Sequence, residues 1–506
     1  MEWGQTENAV TGISDLLERV AAEGCLLLAP DLHVLAEPVR AALSAVSAAA
    51  QGGPRSTVRV RGEELAEALG RVGGAASLSL TESGRSHGSH PAEVLEMAAR
   101  WACARHLATG DVPAGRLHVS LRASTESQAL RAVLEAACRG ERPVLDLAMR
   151  LDGRSPAGDG VIRRGADVLR NASGALDYDR VEELAREHRP EVLIAGGDGS
   201  SHIPDWRRMA EIRDGVDDCL LVAELGQAGG LVIAGECPGP MGLADVITFT
   251  THGTLCGPSG AAVVTTSHDL ARAIGRSLRR ETPDAARLAA TAAAFAWAET
   301  GQFRQLEARI ASCARSLCDG LEVGESTDTH LCAIDASAAA ADSGETMAAE
   351  SLARVLGAAG VIAGVRRGRD SGALVLDATW LAQMDATDEQ ARRLGECVAA
   401  VLAAARPVAS PIRPGGPAEA RTSLHALAEI RPRVRDIAHR LAGPEARAPE
   451  PAASDGLARA LQEHPLFACG EMGLLEIGGV GARILLDQAA TGPAGDLSPG
   501  ESAHTL

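Results

Sequence analysis

The sequence predicts an α/β protein. Short apolar runs of strand length recur at Glu191–Ala195, from Cys219, at Val246–Thr251 and at Ala261–Thr266. Between them lie segments with helical apolar spacing, among them Pro91–Leu107, Asp177–His188 and His268–Arg279. The strand-like runs end in glycines and small polar residues, which is where α/β sheets usually place a ligand.

A chain of 506 residues has room for two or three domains. Aromatic residues make up only 2% and Tyr178 is the one tyrosine, so aliphatic and small side chains must fill the core. A formal charge of -18 argues against non-specific binding to nucleic acid or to an anionic membrane surface. The N-terminus has neither the charge nor the apolar run of a signal peptide. Ala285–Ala298 is too short and too polar to span a bilayer. The 11 cysteines form no CxxC pair, so neither a zinc site nor a disulfide framework is indicated. No metal is expected, and a reduced, cytoplasmic setting is the default.

Residues 1–50 read as an N-terminal helical arm. Val10–Ala22 has helical spacing, Leu26-Leu-Leu-Ala-Pro30 interrupts it, and Pro38–Ala49 resumes it. Residues 51–90 are polar and rich in Gly and Ser, as a surface loop would be. Pro91 suits the first turn of the next helix and Gly110 lies past its end; Val94, Ala98 and Trp101 share a face. Leu117–Leu121 is a strand that feeds a helix opening at Arg122-Ala-Ser-Thr-Glu-Ser-Gln-Ala129. Free N–H groups at such a helix start could cradle a phosphate. Glu126 is also an ordinary residue for a first helical turn.

Arg142–Met149 is a further strand, and Asp177–His188 a helix with capping-box spacing at Asp179 and Glu182 and Pro190 beyond its end. The run from Cys219 to Ala234 is a strand and then a Gly-rich turn. Val246–Thr251 and Ala261–Thr266, so close in sequence, predict a hairpin-like pair at a sheet edge. Residues 284–320 form one or two Ala-rich helices, followed by a strand at Asp328–Asp335 and a helix at Leu352–Gly360. Helices at Ala391–Ala405 and Ala420–Leu441 precede a Pro/Ala-rich linker over 443–455.

Thr250-Thr-His-Gly-Thr-Leu-Cys-Gly-Pro-Ser-Gly260 resembles the lysine segment of serine hydroxymethyltransferases, Thr-Thr-His-Lys-Thr-Leu-x-Gly-Pro-Arg-Gly. The chain keeps Thr250, Thr251, His252, Thr254, Leu255, Gly257, Pro258 and Gly260, and has Gly253 at the lysine position. The resemblance covers roughly residues 10–442 and is densest over 177–267. It implies the pyridoxal-phosphate fold of the aspartate-aminotransferase type. That fold has a large α/β domain with a mostly parallel seven-stranded-type sheet between helices, here 51–280. Connecting helices and a smaller C-terminal α/β domain would follow over 281–442. The tail, 456–506, resembles the opening of a folate-dependent aminomethyltransferase domain at Leu474-Leu-Glu-Ile-Gly-Gly-Val-Gly.

The resemblance also assigns site positions. Thr125 and Ser127 fall in the phosphate loop, with Glu126 where the family has glycine. Asp198 aligns with a serine that touches the cofactor ring oxygen. Glu224 aligns with the Asp that pairs with the ring nitrogen, and Gln227 with a His. The loop from Arg150 to Gly158 has no counterpart of the His that stacks on the ring, and Leu374 stands where an Arg grips the substrate carboxylate. Asp31 is the best match to a catalytic Glu. The Tyr- and Gly-rich stretch and the Gly-rich interface loop have no match in 51–90 or in Arg279–Arg287.

Without an amine at Gly253 no Schiff base can form. The first expectation is therefore a catalytically silent relative with no catalytic residue and no cofactor, acting as a scaffold. It would form a homodimer, or a heterodimer with an active relative. The second is an enzyme of altered chemistry that holds pyridoxal phosphate non-covalently, with His252 as base and Asp31 as a residual candidate. The third is a conventional hydroxymethyltransferase of one-carbon metabolism.

Overall fold

The computed structural model describes residues 26–29, 35–36, 39–40, 91–138, 140, 142–152, 161–162, 176–281, 285–321, 326–336, 346–367, 372–409, 416–442, 467–469 and 474–476. The chain divides into two units, Met1–Gly443 and Pro444–Leu506.

In chain order the first unit runs β1 (Leu26–Leu28), α1 (Pro91–Leu107), β2 (His118–Ser120), α2 (Glu126–Ala137), β3 (Val144–Asp146) and β4 (Val161–Ile162). Then come α3 (Tyr178–His188), β5 (Val192–Gly196), α4 (Trp206–Asp214), β6 (Leu220–Glu224), α5 (Gly229–Ala234), β7 (Val246–Thr250), β8 (Ala261–Thr265) and α6 (His268–Ser277). It continues through α7 (Ala285–Ala298), α8 (Gly301–Leu321), β9 (Leu331–Asp335), α9 (Ala349–Ala358), β10 (Val361–Arg366), β11 (Ala373–Asp377) and α10 (Thr379–Gln383). The last elements of this unit are α11 (Asp388–Ala404), β12 (Arg406–Val408), β13 (Glu419–Arg421) and α12 (Leu424–Ala442). In the second unit, β14 (Phe467–Cys469) and β15 (Leu474–Glu476) form an antiparallel pair.

The main sheet has seven strands in the order β2-β8-β7-β6-β5-β3-β4. From β4 through β7 neighbouring strands are parallel, and β8 runs against both of its neighbours. The fold class is therefore the α/β class with a mostly parallel sheet. The hairpin-like pair is present as β7 and β8, joined antiparallel. Its expected place at the sheet edge is corrected: β2 covers β8 and takes the edge itself.

Strands with helices on both faces need apolar residues on both. Along β5, Leu193 and Ala195 join one core with Leu221, Ile247 and Phe249. Val192 and Ile194 join the opposite core with Val222, Val246 and Leu130 of α2. A second sheet, four strands in the order β1-β10-β11-β9, carries a separate core against α8, α9 and α11. The short extended segment expected in the N-terminal arm is thus a strand, with Leu26 paired in parallel to Val361.

Two local expectations are revised. The N-cap of α3 is Asp177, whose carboxylate accepts from the Arg180 N–H at 3.1 Å, so Asp179 lies inside the first turn. On α1, Ala98 is buried with Ala99, Ala102 and Cys103, whereas Trp101 is 48% exposed beside the exposed Met97. The long Ala-rich segment is two helices. They break at Thr300, whose hydroxyl donates to the Trp297 carbonyl and accepts from the Phe303 N–H.

Candidate functional site

Parallel strands that lie side by side bring their C-terminal ends to one edge. In register, Gly196 of β5 stands opposite Glu224 of β6, and Glu224 opposite Thr248 of β7. Asp146 ends β3 on the same side, and the chain turns there into Arg150.

Arg150 turns back into the sheet end. Its Nε donates to Glu224 Oε1 at 2.9 Å and its Nη2 to Glu224 Oε2, a two-point grip on one carboxylate. Its Nη1 donates to Asp146 Oδ2 at 2.8 Å. The three side chains are only 4%, 3% and 1% exposed for Arg150, Glu224 and Asp146. Burial pulls the Arg150 guanidinium down, but Glu224 and Asp146 outweigh it and hold the cation above its ordinary range. Burial pushes the Glu224 carboxyl up to about 7 against the pull of Arg150.

Glu126 opens α2 but its side chain is buried, and Oε1 accepts from the Gly226 N–H at 3.1 Å. Oε2 is buried without a hydrogen-bond partner. Burial first, then Glu224 and Asp198, hold this carboxyl well above the ordinary carboxylate range. Glu126 does stand in the first turn of α2, and its buried side chain ties α2 to the end of β6. Thr125 and Ser127 are exposed at the helix start. There the Thr125 hydroxyl accepts from Gln128 N–H at 3.2 Å, and Gln128 Oε1 accepts from Ser124 N–H at 2.7 Å. Two donors of the expected cradle are engaged by the chain's own side chains.

The turn after β7 is tightly tied. The Thr251 hydroxyl donates to the Pro258 carbonyl at 2.6 Å, and the Gly257 N–H to the Thr251 carbonyl at 3.0 Å. Thr254 Oγ1 accepts from Gly230 N–H at 2.9 Å and donates to the Gln227 carbonyl at 2.7 Å, fixing the turn on the start of α5. Inside it, Gly253 has φ +70, and a Cβ built there would stand 2.6 Å from Gln227 Cβ and 3.1 Å from its Cγ. Asp198, in the loop after β5, accepts from the Leu151 N–H at 2.9 Å. A cavity of about 10 Å³ lies between Asp198, Glu224, Gln227, His202 and His330. That is no more than a single water needs.

Residues 166–363 match the family model described as serine hydroxymethyltransferase. Over these residues the chain is similar to serine hydroxymethyltransferases. Serine hydroxymethyltransferase 1 of Pseudomonas fluorescens (strain Pf0-1) is 33% identical over 240 residues, which is 43% of this chain and 56% of that protein. The serine hydroxymethyltransferase of Endomicrobium trichonymphae is 33% identical over 172 residues, 32% of this chain and 41% of that protein. The chain thus spans about half the length of the curated relatives it matches.

The structure brings Glu224, Gln227, Asp198 and Gly253 of the expected positions together, with His252 half-buried beside Gly253. Leu374 is fully buried in the core of the four-stranded sheet. Asp31 lies outside the described residues, as do 51–90. Among the described residues no group of His, Cys, Asp and Glu could hold a metal ion, and no helix is long and apolar enough to cross a membrane. Sequence reasoning missed Arg150. Its one local signal is an arginine four residues after Asp146, next to an apolar strand. It aligned Glu224 with the Asp that pairs with the ring nitrogen, and the structure pairs this side chain with that arginine.

Proposed function

We propose that this serine hydroxymethyltransferase-like protein carries out no pyridoxal-phosphate chemistry and acts by binding, as a scaffold or as the partner of an active relative. The observation that carries this reading is Gly253. It has no amine, and the space its side chain would need is filled by Gln227. Residue 253 also has a left-handed backbone that L side chains rarely adopt.

The residues present do not fit pyridoxal phosphate. A phosphate dianion at the start of α2 would meet N–H groups already bonded to Thr125 and Gln128. It would also lie next to the buried carboxyl of Glu126. At the other end, Glu224 is committed to Arg150. As partner we favour a second copy or an active relative; the exposed Met97 and Trp101 on α1 offer an apolar surface for such a contact. A reducing, cytoplasmic setting suits the nine described cysteines, which are free thiols.

The test is a titration with pyridoxal phosphate, followed by absorbance, of the natural chain and of Gly253→Lys, with glycine hydroxymethyltransferase activity measured in parallel. Neither protein is expected to shift the cofactor spectrum or to turn over serine. Tight binding by the natural chain overturns the reading and favours altered chemistry, with His252 the first residue to mutate. Serine turnover by the natural chain would restore the conventional enzyme.

A further inference from the structure

The Arg150 guanidinium occupies a buried chamber between the acids that end β3 and β6, Asp146 and Glu224, with Glu126 at the start of α2 nearby. Such a cluster of acids is unstable unless a cation or a proton compensates it. Burial and the Glu224 carboxyl hold Glu126 well above the ordinary carboxylate range, while Glu224 and Asp146 face the Arg150 guanidinium. The match is geometric as well as electrostatic. A guanidinium is a flat fork of five N–H donors. Both oxygens of Glu224 take one edge of this fork, and Asp146 takes a donor of the other. Glu126 Oε2, in a residue only 8% exposed, has no hydrogen-bond partner, and Glu224, Asp198 and Arg150 are the charges that act on this carboxyl.

We propose that this chamber is a guanidinium-binding site which the chain fills with its own Arg150. The side chain is an internal ligand: it enters from the loop after β3 and clamps the ends of β3 and β6. Emptied of it, the chamber takes guanidinium or a small alkylguanidinium, with its plane held by Glu224 and Asp146. It rejects phosphate-bearing cofactors, because its walls are carboxyl groups. This inference rests on the reading that pyridoxal phosphate is not the ligand of this site.

Arg150→Ala in the full chain tests it. Its thermal midpoint should fall below that of the natural chain. Guanidinium or ethylguanidinium chloride should restore it by roughly 3 °C or more at about 20 mM, in a saturable way. Sodium chloride at equal ionic strength, neutral urea of the same shape, and pyridoxal phosphate should not. The natural chain, whose chamber is full, should show no such rise. If Arg150→Ala does not fold on expression, refolding yield with ethylguanidinium against urea reads the same preference. A response to guanidinium no larger than to urea overturns the chamber assignment. Rescue by pyridoxal phosphate overturns it as well. Binding of pyridoxal phosphate to the natural chain is a separate outcome: it sinks the reading under Proposed function, whatever Arg150→Ala does.

Discussion

Glu307 on α8 is fully buried, and neither of its carboxyl oxygens has a hydrogen-bond partner. Burial, and then the Glu236 carboxylate, push it well above the ordinary value of 4.5. The folded state therefore keeps a proton that the unfolded state gives up. The sign follows: the stability linked to this group is fully present below 4.5 and is lost as pH rises towards the folded value. Each pH unit above the unfolded value costs about 1.4 kcal/mol while the folded group stays protonated. A buried carboxyl without a partner adds a pH-independent cost of about 1–3 kcal/mol. Glu307→Met keeps the volume and removes both terms. Some of the gain is lost to imperfect repacking, so we expect about 2 kcal/mol of added stability at pH 7.5 and less at pH 5. Urea unfolding of both proteins at the two pH values measures it. Glu126 and Glu224 give the natural chain a slope of the same sign, and the difference between the two proteins isolates Glu307. An equal or lower stability of the Met variant at pH 7.5 refutes the reasoning. A gain that does not shrink towards pH 5 refutes the linkage part alone.

Two further substitutions probe packing that glycine alone permits. Gly253→Ala combines a left-handed φ of +70 with a Cβ 2.6 Å from Gln227 Cβ, and should cost about 2–4 kcal/mol. Adding Gln227→Gly should recover the steric part, so a thermal midpoint for Gly253→Ala equal to that of the natural chain would contradict the described turn. Where α8 crosses α11, a Cβ at Gly320 would collide with the Arg392 carbonyl and one at Gly395 with the Leu317 carbonyl. Gly320→Ala and Gly395→Ala should each cost about 3 kcal/mol in chemical unfolding. The double variant should cost less than the sum, because the first methyl already separates the helices.

Much of the fold was legible. The strands of the main sheet that are buried on both faces carry unbroken apolar runs, as in Val246–Phe249, and these show at once in a sequence. Strand β10 escaped notice because Val361 is its one buried residue, and Gly364 and Arg366 break any alternation. The edge position of β7 and β8 was misjudged for a topological reason. The strand that covers them, β2, comes from far earlier in the chain, and no local pattern announces a crossover. At the site, comparison of motifs identified Gly253, Glu126, Glu224 and Gln227 as departures from the family. It could not say what stands in their place, because Arg150 meets Glu224 across 74 residues and Gln227 meets Gly253 across a turn.

These departures are coupled in space. A glutamate at the buried end of β6 with nothing bound to it is an uncompensated charge, and breaking such a pair costs about 3–5 kcal/mol. A chain that stopped using a cationic ring at that position would lose stability unless another cation arrived. On the reading proposed above, Arg150 is that cation, and its guanidinium needs no covalent anchor at residue 253. With the charge neutralised from β3, nothing at the sheet end requires an amine in the β7 turn. Gly253 and Gln227 are then free to close that turn on α5. On this argument the arginine and the glycine are two sides of one change. Restoring a lysine at 253 alone should give neither a bound cofactor nor a stable turn, whereas removing Arg150 should expose the chamber it fills.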